Sequence, residues 1–155
     1  MSYKPLREAD RIYSILTRDF GLIHTMATGV RKGHSKLRGA LEPISIASVS
    51  LVRGKEYWRI TSAESIRNIS SVSEIAKPLA LLEKLVQGEA PNLKLFNAVE
   101  RIVSSKKPHD EMFEIQFVAT ILYHLGYLKK EDLKLDKKNL IKSINQGLEA
   151  SHLAN

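Results

Sequence analysis

The apolar residues of this chain change their spacing once, near Ser70, and the change separates two stretches of different architecture. From Arg11 to about Arg67, β-branched and aromatic residues fall in short runs broken by glycine-bearing segments, the pattern of strands rather than helices. Strands are expected near Arg11–Arg18, Leu22–Arg31, Ile44–Arg53 and Glu56–Ile66. Turns are expected at Asp19-Phe20-Gly21 and Arg53-Gly54-Lys55, each with a glycine able to take positive φ. Between the second and third strands, Lys32–Pro43 is polar and basic, carries two glycines and ends in proline, and so reads as an exposed loop. Short antiparallel strands with one long charged loop predict a small barrel, because closing the sheet removes its exposed edges.

After Ser71, Ile75, Leu79, Leu82 and Val86 recur at helical spacing and stop at Gly88 and Pro91. A second helix is expected over Asn92–Val103. A third runs from about His109 to Leu125, opened by Pro108 and Asp110 and closed by Gly126, with Phe113, Phe117, Ile121 and Leu125 as its apolar stripe. A last amphipathic helix covers Lys137–Leu148. The serines at 70, 71 and 73 mark the boundary between an N-terminal domain, 1–69, and a helical domain, 70–155. The alternative is one α+β core shared by strands and helices without a hinge, since each half is small for independent folding.

A chain of 155 residues with 43% apolar content can furnish a core. No window nears the roughly 18 uninterrupted apolar residues of a membrane helix, and Met1–Pro5 leads into charge rather than an apolar secretory segment, so a cytoplasmic protein is expected. The absence of cysteine excludes disulfides, thiolate zinc sites, iron–sulfur clusters and cysteine nucleophiles. The net charge is +7, and its distribution is uneven: residues 1–69 hold 12 Lys/Arg against 6 Asp/Glu, residues 70–155 hold 12 against 11. An anionic partner should therefore meet the N-terminal half.

The candidate binding set is Arg18, Arg31, Lys32, Lys36, Arg38, Arg53, Lys55 and Arg59, cations placed at strand ends and in the long loop where they can reach a phosphate backbone. Taken singly, each is ordinary surface charge; their grouping carries the reading. Phe20, Tyr57 and Trp58 lie beside basic positions. Strand alternation puts Tyr57 with Arg59 on one face and Trp58 with Ile60 on the other, so Trp58 is assigned to the core and Tyr57 is the base-stacking candidate.

Chemistry finds little footing. The five histidines are scattered singly without metal-binding spacing. The segment Gly29–Lys36 lacks the Gly-Lys-Ser/Thr of a nucleotide-binding loop, because His34 and Ser35 follow its second glycine. Glu8 and Asp10 sit among arginines and suit a turn or cap, and no GxSxG elbow occurs. A non-enzymatic protein without cofactor or metal is expected.

Several segments, in order, resemble the RecO family of bacterial recombination mediators: Pro5–Ile12, Leu16-Thr17-Arg18, Phe20–Ile23, Ala27-x-Gly29-Val30-Arg31-Lys32, Ser35–Pro43, Leu51-x-Arg53-Gly54 and Ile60-Thr61-x-Ala63-Glu64. Phe113-Glu114-x-x-Phe117 leading to Leu125-Gly126-Tyr127 resembles the helical part of that family. The resemblance implies an α+β protein with an N-terminal OB-fold β-barrel followed by a helical domain. It implies a DNA-binding mediator of DNA repair that anneals complementary strands and helps a recombinase displace single-strand-binding protein. Implied partners are single- and double-stranded DNA, RecR and the acidic C-terminal tail of single-strand-binding protein, in the bacterial cytoplasm at the nucleoid. The chain departs from the family in length and in lacking the cysteine zinc element many relatives carry after Leu-Gly-Tyr; here Leu128-Lys129-Lys130 follows. Its N-terminus is read as starting inside the first strand, which weakens barrel closure. Two other readings fit the same charge: an RNA-binding or ribosome-associated OB protein, and an adaptor whose basic loop docks acidic peptides.

Overall fold

A computed structural model describes residues 2–6, 8–69, 72–86, 88–106 and 110–152. Five strands precede the main helices: β1 (Ser2–Pro5), β2 (Arg11–Thr17), β3 (Gly21–Ala27), β4 (Ser45–Val52) and β5 (Trp58–Asn68), with a short helix α1 (Lys36–Ala40) between β3 and β4. Helices α2 (Val72–Leu85), α3 (Leu93–Val103), α4 (Glu111–His124) and α5 (Lys137–Ala150) follow, with a 3-10 turn over Lys130–Lys134 before the last. The chain is α+β, a sheet first and helices after it.

The sheet order is β1-β2-β3-β5-β4. All neighbours are antiparallel except β3 and β5, which run parallel where Thr25 faces Trp58 and Met26 faces Arg59. Two register shifts between β4 and β5, at Ile46/Ala47 and Ser50/Leu51, bend the long β5 as bulges do. The expected barrel is not closed: among the described residues β1 and β4 remain edges of an open sheet. The seam between them is faced by Leu79 of α2 and by Phe96 and Val99 of α3, so helices cover apolar edges that a further strand pairing would otherwise hide.

The second strand stops at Ala27, short of the expected Arg31, because Gly29 turns the chain and gives its N–H to the Asp10 carboxylate at 2.8 Å. Asp10 is nearly buried and holds this turn, as its placement in a charged stretch suggests. The expected loop over 32–43 contains α1. Ser35 caps it, accepting from the Leu37 N–H, and Leu37, Ala40 and Leu41 turn inward; Leu37 and Leu41 join Tyr13, Ala27, Val30 and Ile60 in the sheet's core. Five residues with one apolar turn are too short for their periodicity to be seen in the sequence. Residue spacing does not mark strand β1, because Ser-Tyr-Lys-Pro shows no apolar alternation, although the resemblance starts the chain inside a strand; β1 pairs only on one side and ends in a proline that donates nothing to a ladder.

The helical expectations hold closely. Asn92, Asp110 and Asp136 cap α3, α4 and α5 with their side chains. Pro108, the expected opener of the third helix, and the boundary serines 70 and 71 lie outside the described residues. Phe117 and Ile121 of α4 pack with Ile75, Leu79, Leu82, Leu95, Val99 and Val103 in one buried cluster, with Phe113, Leu125 and Val86 at its margin. Leu16, Ile44 and Ile46 from the sheet side pack against the same cluster, so strands and helices meet through apolar contact.

Of the two expected turn glycines, Gly21 has φ +72°, and a methyl built on it would lie 2.2 Å from the Ala90 carbonyl oxygen in the α2–α3 loop. Gly54 is not at positive φ; it is glycine because a side chain there would strike the Tyr57 carbonyl. Gly21→Ala combines the left-handed penalty with a backbone collision and is expected to destabilise by about 2–4 kcal/mol. Urea unfolding with an unchanged m-value checks this, and a loss within the error of the measurement would mean the loop does not sit against this turn.

Candidate nucleic-acid interface

The nine sequence-predicted residues fall at two ends of the β3/β5 pair. At the far end of β3, Arg31 and Lys32 follow the Asp10-held turn, and Lys36 and Arg38 stand on α1; all four side chains are exposed. The Arg31 N–H bonds the Ala9 carbonyl at 3.1 Å, which fixes the start of this segment while leaving its guanidinium outward. At the near end lie Arg18 in the β2–β3 turn and Arg53 and Lys55 in the β4–β5 turn, also exposed, with half-buried Tyr57 leading into β5. Arg59 sits on β5, opposite Met26 of β3 and Val52 of β4, and points to solvent. The register sets the start of β5 beside Thr25 and Met26, so Arg59 lies close to the Arg31–Arg38 segment while Arg18 stands at the opposite end of β3.

Not all of these cations are free. The Arg18 guanidinium lies 5.7 Å from the Phe96 ring of α3. Arg53 pairs with Glu89 of the α2–α3 loop and lies 4.8 Å over the Trp58 ring. Hydrogen bonding from Arg53, helped by the Trp58 N–H, holds the Glu89 carboxyl below the usual carboxylate range.

Trp58, expected in the core, is instead half-buried at its edge. Ile60, two residues on, is buried as expected, but Trp58 is the first residue of β5 and reaches past the core to pack on Phe20 at 4.8 Å. Alternation assigned its face correctly; how far the core extends along that face depends on the elements stacked above it. Nothing near Glu89 in sequence links it to Arg53, 36 residues away.

A cavity of about 380 Å³ lies in the open seam, lined by apolar residues including Ile15, Val49, Leu51 and Phe96. The charged side chains lining it are Arg18, Asp19, Glu42 and Glu100, net negative, which disfavours a polyanion inside it. Tyr13 also lines it, and among the described residues its buried hydroxyl has no hydrogen-bond partner. Burial pushes the Tyr13 phenol up, and the nearby Arg11 charge, which makes no hydrogen bond of normal geometry, offsets part of that push.

An open sheet with a parallel β3/β5 contact and a helix between β3 and β4 is the arrangement of an OB-type class of domain, here followed by helices. Comparison with known proteins gives the family. The family model described as Recombination protein O N terminal matches residues 1–69. A DNA repair protein RecO from Rubrobacter xylanophilus is 32% identical over 134 residues, covering 81% of this chain and 54% of the relative. One from Trichodesmium erythraeum is also 32% identical, covering 77% of this chain and 46% of its own length. One from Dehalococcoides mccartyi is 48% identical over 65 residues, 42% of this chain and 26% of that protein. The chain belongs to the RecO family, and it spans about half the length of the curated relatives it matches over most of its own.

Proposed function

We propose that the chain is a DNA-binding recombination mediator of DNA repair, which anneals complementary strands and assists loading of a recombinase onto DNA coated by single-strand-binding protein. The observation that carries this reading is the coincidence of the positive charge with the family match: the 69 residues similar to the RecO N-terminal domain are the ones that hold the excess of cations. Residues 1–69 act as the DNA-binding domain and residues 70–155 as the helical domain. Arg18, Arg31, Lys32, Lys36, Arg38, Arg53, Lys55 and Arg59 contact phosphates, and Tyr57 contributes a stacking surface.

The action is binding rather than catalysis. Cations that neutralise two strands reduce their repulsion, and annealing then needs only that the bases stay accessible. RecR and the acidic C-terminal tail of single-strand-binding protein are the protein partners of this reading, and the bacterial cytoplasm at the nucleoid is its place. Among the described residues no helix is long and apolar enough to cross a membrane.

The test is binding of labelled single-stranded DNA across a salt series, with annealing of the complement followed in the same samples. Binding is expected to weaken with salt by a slope of about −0.7 per phosphate contact, with annealing accelerated at protein saturation. No binding at low salt would overturn the reading in favour of a peptide adaptor, and preference for a matched RNA strand would overturn it in favour of an RNA-binding protein.

A further inference from the structure

Glu89 belongs to the loop between α2 and α3, yet its carboxylate reaches the sheet. It accepts a hydrogen bond from Trp58 Nε1 at 3.0 Å and another from the Arg53 guanidinium. The same guanidinium lies 4.8 Å from the Trp58 ring centroid, and the Phe20 ring packs on that indole at 4.8 Å, tilted by 41°. The cluster is open to solvent: Phe20 is 41% exposed, and the side chains of Arg53 and Glu89 are 63% and 40% exposed.

An exposed phenylalanine and a half-buried tryptophan beside an arginine are the groups with which proteins hold unstacked bases and the phosphate between them. An arginine fork recognises carboxylate and phosphate alike, as a planar pair of donors facing two oxygens. Glu89 therefore presents to Arg53 and to the indole N–H what a phosphate would present. Its loop has a second point of contact with the sheet, because the Ala90 backbone is seated directly over Gly21. The side chain can swing away while the loop stays. An ion pair this exposed is weak and screened by salt, so a polyanion competes with it readily.

We propose that Phe20, Trp58 and Arg53 form a base-stacking and phosphate-binding site for single-stranded nucleic acid, and that Glu89 occupies its phosphate position in the free protein and is displaced when a strand binds. This deepens the DNA-binding reading and rests on it. It assigns stacking to Phe20 and Trp58, and makes Glu89 a residue that sets affinity by competition. In the wild-type protein, the Arg53–phosphate contact forms at the expense of an internal pair, so the counterions released on one side are largely taken up on the other. Removing the carboxylate restores a full contact.

The chain has a single tryptophan, so intrinsic fluorescence reports this site directly. Oligothymidylate is titrated into the full chain while Trp58 emission is followed, and a labelled copy of the same oligonucleotide is followed by anisotropy. Saturable quenching of Trp58 with the same midpoint as the anisotropy is expected. E89Q is expected to bind about tenfold more tightly, with a salt slope steeper by about 0.7, one added phosphate contact. Binding seen by anisotropy with unchanged Trp58 emission would overturn the stacking site and leave the DNA-binding reading standing; absence of binding by both signals would overturn both. Quenching with E89Q equal to or weaker than wild type would overturn the competition by Glu89. Thermal unfolding of E89Q guards the comparison, and the wild-type quenching decides the stacking site whatever that variant does.

Discussion

Reversal of Arg31, Lys32, Lys36 and Arg38 to glutamate is expected to weaken single-stranded DNA binding at least about a hundredfold and to flatten its salt slope by about 3, four contacts at about 0.7 each. The four cations follow one turn and occupy one five-residue helix, so their reversal converts the whole far end of the β3/β5 pair from attractive to repulsive. All are exposed, and among the described residues none takes part in a salt bridge, so folding loses no partner when they change. At α1 the changes also compensate: glutamate at 36 meets the positive helix N-terminus, whereas glutamate at 38 meets the last turn. The thermal midpoint should stay within about 2 °C of wild type, in line with the small effect of surface substitutions. Anisotropy across a salt series, with unfolding followed by circular dichroism, measures both. Retained tight binding would move the interface away from this segment.

Phe117→Ala is expected to cost about 3–5 kcal/mol, the usual range for removing a buried phenylalanine ring. Phe117 is 1% exposed and meets residues of α2 and α3 in the main buried cluster, with the Phe113 ring edge-on at 6.1 Å. Against the 5–15 kcal/mol that holds a typical domain together, this is a large fraction of the total. Because Leu16, Ile44 and Ile46 pack against the same cluster, the loss should loosen the sheet as well as the helices. Urea unfolding is the measurement, read by helical circular dichroism and by Trp58 fluorescence on the sheet. Both signals should shift together; a change of less than 1 kcal/mol in the helical signal would remove Phe117 from the core.

The proposed interface is readable in the sequence to the extent that charge is a local property. The excess of cations in residues 1–69 and their concentration around Lys32–Arg38 could be counted directly, and every one of the eight is exposed in the fold. Which cations already have a carboxylate could not be counted, because Arg53 and Glu89 are joined only when the α2–α3 loop folds back over the β2–β3 turn. The depth of Trp58 is hidden in the sequence for a related reason. Period-two alternation says which face a strand residue takes, and Trp58 does share its face with Ile60, but the core ends between them.

The positions of β2 to β5 and of α3 to α5 followed from signals contained in a few residues: β-branched runs, glycine at the turns, and Asn92, Asp110 and Asp136 able to satisfy the first free N–H groups of a helix. Such signals act over distances of one turn, and the chain carries them wherever it goes. Strand β1, helix α1, the open seam and the Glu89 cluster have no such local cause. Ser-Tyr-Lys-Pro becomes a strand because β2 offers an edge, and Leu37, Ala40 and Leu41 turn inward because the interior of the sheet lies beside them. The seam between β1 and β4 is faced by α2 and α3 across the cavity rather than closed by a strand pairing. Each of these depends on a contact between segments far apart in the chain, formed only when burial of the whole apolar surface brings them together.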